Sequence, residues 1–221
     1  TGLLAVVAHV YDFAVALMLA AVCVCVGIAV CGRFRVRFAS RGEEIGFSLF
    51  VGAGVIGLSV LLFGLAGWLR PLPIALLMVV LIVVTRASWT RLYRRSVESL
   101  DQSREEKVVA SIYVVFIAFL VLRAATVPNA PDELIYHLSV TNDFVKHGPV
   151  YPMFHNSLGN FPFLIHMVYA ARKLAGSEIA ARLFSLFLAV GTSLAILGFC
   201  SRYLTRRIGA VAMFAFFGAG M

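Results

Sequence analysis

The sequence predicts an all-α fold, that of a polytopic integral membrane protein with about six transmembrane helices and a large helical extracytoplasmic loop. Three observations carry this expectation. Of the 221 residues, 61% are hydrophobic and only 14% charged, and the mean hydropathy is +0.94, whereas a soluble domain is nearer half apolar with about a quarter of its residues charged. Apolar runs of about 20 residues, enough to cross roughly 30 Å of hydrocarbon, recur along the chain. The basic residues gather between alternate runs, as orientation signals do. A soluble globular domain is excluded.

The first run, 13–32, is entered past His9 and Asp12. An acid at a helix N-terminus is favoured by the macrodipole, so Asp12 reads as structural. Cys23 and Cys25 lie in this run and point about 200° apart on a helix. With Cys31 and Cys200 also in apolar runs, neither disulfides nor a thiolate metal site is expected. The second run, 46–69, carries Gly52, Gly54, Gly57, Gly64 and Gly67, small residues that let helices pack closely in a membrane. Arg70-Pro71-Leu72-Pro73 forms a tight turn before the short third run, 73–86. The polar stretch 87–107 mixes both signs of charge and reads as a solvated or interfacial helix. Runs at 108–126, 178–200 and 208 onward complete the set, the last cut off at Met221. A chain that begins at Thr1 and ends inside an apolar run reads as part of a longer protein.

The net charge of +8 comes from 19 Lys and Arg against 11 Asp and Glu. Arg33, Arg35, Arg37 and Arg41 follow the first run, and Arg86, Arg91, Arg94, Arg95, Arg104 and Lys107 follow the third. Arg202, Arg206 and Arg207 follow the fifth, so that thirteen of the nineteen basic residues fall on one side. The positive-inside rule makes that side cytoplasmic. The N-terminus and segment 127–177 then face outward. The surplus charge is an orientation signal, and no nucleic-acid partner is expected.

Segment 127–177 is unlike the rest, with four of the five histidines and three of the eleven acids. A connector between spans needs only a few residues, so a segment this long points to function. Pro131 suits a first helical turn, and Leu134, Ile135, Leu138 and Val145 form an apolar stripe. A helix over about 131–146 lying on the membrane surface follows, ended by Gly148-Pro149. A second apolar segment, about 161–174, returns along or into the interface. Asp132 and Glu133 fall in the first turn of the surface helix, about 100° apart around its axis. There they either satisfy the helix dipole or supply a general base with an orienting partner. Tyr136 and His137 each lie four residues after one of these acids and share its face. The histidine spacings match no zinc pattern, and no metal site is expected. His166, inside an apolar run, reads as a packed or interfacial histidine.

The order Pro131-Asp132-Glu133, helical loop, Gly148-Pro149, Asn160-Phe161-Pro162 and Ala180-Ala181-Arg182-Leu183-Phe184 resembles the start of a GT-C glycosyltransferase. That superfamily includes the protein O-mannosyltransferases and the lipid A aminoarabinose transferases. The resemblance covers about residues 108–221, and Asp132, Tyr136, His137 and Leu138 look most like a bacterial subgroup with a D-x-L-x-Y-H-L pattern. It divides the chain into N-terminal helices with basic cytoplasmic loops, 1–107, and a GT-C-like start, 108–221. What it implies is a transferase of the bacterial plasma membrane that takes a sugar from a polyprenyl-phosphate carrier. The acceptor would be a glycan, lipid or protein hydroxyl on the extracytoplasmic face, and the anomeric centre would invert.

By the same resemblance Asp132 is the catalytic base and Glu133 its partner, while Tyr136, His137, Asn160 and Arg182 bind substrate. The lipid-linked sugar is the donor substrate and no resident cofactor is implied, with a divalent metal left open. Two family cations are missing, since Ile135 and Asn160-Phe161-Pro162 stand where many members carry Arg and Lys-Pro-Pro. Arg123, Lys146, Arg172, Lys173 and Arg182 are the outward cations available for the donor phosphate; Lys146 and Arg172-Lys173 serve equally as lipid anchors. Two rivals remain: a transporter or flippase subunit relaying protons through Asp132, Glu133 and His137, and a non-catalytic membrane scaffold.

Overall fold

A computed structural model describes residues 2–38, 40–97, 104–124, 138–154, 164–173 and 178–219. Among these there are nine α-helices and no strand. They are α1 (Gly2–Arg33), α2 (Arg41–Leu65), α3 (Pro71–Val84), α4 (Arg86–Val97), α5 (Arg104–Ala124), α6 (Leu138–His147), α7 (Leu164–Lys173), α8 (Glu178–Tyr203) and α9 (Arg206–Ala219).

Three helical segments are long and apolar enough to cross a membrane: Val6–Arg33, Arg41–Leu65 and Ile179–Tyr203. A fourth crossing is available if α3 and α4, bent by 62° at their junction, act as one broken span. α3 has 14 residues and measures about 21 Å, short of the roughly 30 Å of hydrocarbon. The apolar part of α5, Ala110–Ala124, is likewise short. Leu72, Leu76, Val79, Val80, Val83 and Val84 leave α3 with an exposed apolar surface suited to hydrocarbon.

α2 organises the bundle because its glycines remove the side chains that would hold neighbours away. A Cβ on Gly52 would stand 1.7 Å from the Cys23 carbonyl oxygen, and one on Gly27 1.9 Å from that of Ser48, so α1 and α2 run antiparallel with touching backbones. Across another face, a Cβ on Gly46 would meet the Gly191 carbonyl oxygen of α8 at 2.4 Å. α7 crosses farther along, where a Cβ on Gly57 would meet the Leu164 carbonyl oxygen at 2.6 Å. Packing of this kind relies on close van der Waals approach, since lipid supplies no hydrophobic drive between helices. The main core joins Val22, Cys23 and Val26 of α1, Ile56 and Val60 of α2, Phe144 of α6, Met167 of α7 and Phe184 of α8. Cys23 and Cys25 are both fully buried although they point apart, so α1 is covered on opposite sides in its C-terminal half; all four cysteines are free thiols.

The helix ends follow local chemistry. Ser40 caps α2, its hydroxyl accepting from the Glu43 N–H at 3.1 Å, with Glu43 and Glu44 in the first turn. Gly67, at φ 74, closes α2 in a Schellman motif: Gly67 N–H donates to Gly64 and Trp68 N–H to Phe63. The Phe63 and Trp68 rings touch across that cap, the apolar contact such motifs carry. This stops the helix at Leu65, short of the expected 69. α1 ends in the same motif, but with Arg35 in the left-handed position at φ 55, a conformation costing a non-glycine residue roughly 1 kcal/mol.

The antiparallel pairing gives the bundle two distinct ends. At one, the α1–α2 connection meets the end of α8, where a Cβ on Gly198 would touch the Ser40 hydroxyl at 2.7 Å. Arg91 of α4 pairs with Glu44 of α2 at 3.4 Å, and Arg41 donates to the Leu92 carbonyl at 3.3 Å. The segments bearing Arg33–Arg41, Arg86–Arg91 and Arg202–Arg207 therefore share one end. This is the arrangement expected from the charge pattern, although the Arg91–Glu44 pair joins two helices instead of lying within the polar stretch.

Candidate functional site

The opposite end holds the described parts of segment 127–177. α6 stops at His147 because Gly148 turns the chain at φ 96 and donates to the Phe144 carbonyl, with Pro149 next. The extended residues that follow are stitched to the α2–α3 turn. Val150 N–H donates to the Gly64 carbonyl at 2.9 Å, and Leu69 N–H donates to that of Gly148 at 3.3 Å. α6 buries Leu138, Val140, Thr141 and Phe144. α7 enters the bundle against α2, burying His166, Met167, Val168, Ala170 and Ala171. Tyr169 and Ser185 hydroxyls join α7 to α8. The second apolar segment thus packs among helices rather than along an interface alone, and His166 is a packed histidine.

Two polar features stand at this end. The first is a cluster on α6 and the strand-like residues after it. The Tyr151 hydroxyl donates to Asp143 Oδ2, and His147 Nδ1 lies 2.9 Å from the Asp143 carbonyl oxygen and 3.4 Å from Oδ1. Phe144 and His147 both set ring edges against Tyr151. Donating to an anionic carboxylate pushes the Tyr151 phenol above its ordinary 10.0, with desolvation and the carboxylate charge adding to the rise.

The second is the junction of α1, α5 and α8. Ala16, Ala180 and Leu183 pack together there, with Val121, Ala124, Ile179 and Phe187 around them. Phe13 meets Phe187 at 5.9 Å between ring centroids. Asp12, one helical turn from Ala16, is only 4% exposed. It does not sit at a helix start: α1 begins at Gly2, which places Asp12 in the third turn, beyond the reach of the terminal dipole. The dipole explanation for Asp12 is corrected on that ground. Half-buried Arg182 of α8 and exposed Arg123 of α5 flank the same junction in sequence, beside Leu183 and Ala124.

Of the residues expected to act, Asp132, Glu133, Tyr136, His137 and Asn160 lie outside the described residues, as does His155. Arg182 is described, in the second turn of α8. Lys146 is exposed at the end of α6. Among the described residues no three His, Cys, Asp or Glu side chains come together to hold a metal.

Sequence reasoning passed over Asp143 and Tyr151, although Asp143 and His147 have the four-residue spacing that pairs side chains on a helix. It also passed over the burial of Asp12. The signal there was the apolar stretch Leu3-Leu4-Ala5-Val6-Val7, which lets the helix start well before the acid. No family model, curated protein or solved structure matches the chain.

Proposed function

We propose that the chain is the N-terminal portion of a membrane glycosyltransferase of the GT-C type. It moves a sugar from a polyprenyl-phosphate carrier to an acceptor hydroxyl on the extracytoplasmic face of the bilayer, crossed by about six spans. The observation that carries this reading is the pinning of the described part of segment 127–177 to the α2–α3 turn, away from the three basic stretches. With the basic end cytoplasmic by the positive-inside rule, that segment faces outward.

In this reading the Asp132 carboxylate takes the proton from the acceptor hydroxyl as its oxygen bonds to the anomeric carbon. The bond from that carbon to the phosphate oxygen breaks, its electron pair leaves with the polyprenyl phosphate, and the centre inverts. Glu133 orients Asp132 or the acceptor. Tyr136, His137 and Asn160 contact the sugars, and Arg182, at the mouth of the α1–α5–α8 junction, balances the departing phosphate charge.

Asp132→Asn in the full-length enzyme is expected to abolish transfer, a loss of at least about a hundredfold for removal of a general base. Expression and membrane insertion should be unchanged. Wild-type turnover of a defined polyprenyl-phosphate sugar by that variant overturns the assignment. Glu133→Gln should retain partial activity.

Asp12 favours a second reading. A buried carboxylate in a candidate span is the usual mark of a proton-coupled transporter or flippase. In that case Asp12→Asn stops substrate movement in proteoliposomes, and no sugar is transferred at all.

A further inference from the structure

The basic end carries a surface that the proposed transfer chemistry does not use. The 62° bend between α3 and α4 turns α4 away from the line of α3. Thr85 makes the bend, its N–H and hydroxyl both donating to the Leu81 carbonyl while its own carbonyl accepts from Ser88 and Trp89. α4 is then held to the bundle by Arg91 on Glu44 and by Arg41 on the Leu92 carbonyl. Trp89 and Leu92 pack inward against the main core. Arg86 and Tyr93 stay exposed.

α1 touches α4, and its last residue, Arg33, is exposed, as are Arg35 and Arg37 just beyond it. Arg35 holds the left-handed cap position at φ 55, which glycine adopts freely and an L side chain resists. α4 contains no acid, and neither does the stretch 32–37. Exposed arginines of the α1 end and of α4 therefore share the basic end with Trp89 and Tyr93, and these are the residue types that bind phosphate headgroups and the acyl boundary.

We propose that α4 and the adjoining end of α1 form a docking surface for anionic phospholipid headgroups. Arg33, Arg35, Arg37 and Arg86 meet the phosphodiesters, and exposed Tyr93 lies at the boundary with the acyl chains, while Trp89, packed inward on the same helix, reports on the lipid beside it. The surface draws acidic lipid to the basic end in preference to zwitterionic lipid.

The two tryptophans allow a direct test, because Trp89 lies on α4 and Trp68 in the turn at the opposite end. The protein is reconstituted in phosphatidylcholine vesicles containing a minor share of phosphatidylglycerol, with bromine on the acyl chains of one lipid or the other. In Trp68→Phe, brominated phosphatidylglycerol should quench Trp89 about twofold or more beyond its share of the bilayer, given the attraction of each basic residue to anionic lipid. Raised salt should reduce the excess. Arg35→Gly with Arg86→Gln should remove it. Arg35→Gly relaxes the backbone it replaces, so loss of the preference cannot be put down to a damaged cap. In Trp89→Phe, Trp68 should show no excess. Quenching of Trp89 in proportion to the lipid mixture overturns the proposal. So does an excess that survives the arginine substitutions, or an equal excess at Trp68, and in those cases the arginines face an aqueous acidic partner or solvent.

Discussion

Asp143 ties Tyr151 and His147 together at the end of α6, and its charge acts on the Tyr151 phenol. Because the Tyr151 hydroxyl donates to that carboxylate, the phenol loses its proton later than an ordinary tyrosine at 10.0. A group whose folded pKa is raised stabilises the fold fully below its unfolded value and loses that contribution as pH rises through the folded one. The contact is therefore intact across neutral pH and lost only above pH 10. The tyrosinate absorbance that disappears in Tyr151→Phe should titrate above the ordinary 10.0, and Asp143→Asn should shift it toward the ordinary range. A Tyr151 contribution titrating at or below 10 contradicts the hydrogen bond.

At the scale of elements, the antiparallel crossing of α1 and α2 depends on Gly27 and Gly52. Valine at Gly52 must displace the Cys23 backbone, 1.7 Å from its Cβ, and should cost about 1–3 kcal/mol or more. Gly32 is the control, since nothing lies within 4 Å of its Cβ. Ala there should be neutral or stabilise by about 0.5–1 kcal/mol. Thermal unfolding in one detergent compares them, and equal melting temperatures for Gly52→Val and wild type would contradict the crossing.

These elements also show what the sequence could and could not reveal. The apolar runs located α1, α2 and α8, and Gly148-Pro149 located the end of α6, because hydropathy and left-handed caps are local properties. The end of α2 at Leu65 was equally local, written in Gly67 and in the aromatic pair Phe63 and Trp68. The entry of α7 into the bundle was not legible. It depends on Gly57 of α2 and Ser185 of α8, partners far away in the chain. The burial of Asp12 was hidden for the same kind of reason: α5 and α8, distant in the chain, close around Ala16 one turn away. The candidate base Asp132 rests on resemblance and on which end its segment occupies.

On the scale of the whole molecule, charge and backbone geometry agree on two unlike ends. One gathers the arginines of three connections; the other gathers the cap of α2, the end of α6 and the start of α8. Transfer from a lipid-linked sugar requires these ends to lie on opposite sides of a bilayer, and sided labelling reads that directly. Phe154, 97% exposed, and Arg35 become single reporter cysteines, with the four native buried cysteines replaced by alanine or serine. A membrane-impermeant maleimide applied to intact cells should label Phe154→Cys at once and Arg35→Cys only after permeabilisation. Labelling of both reporters from outside, or of Arg35→Cys alone, would contradict the account.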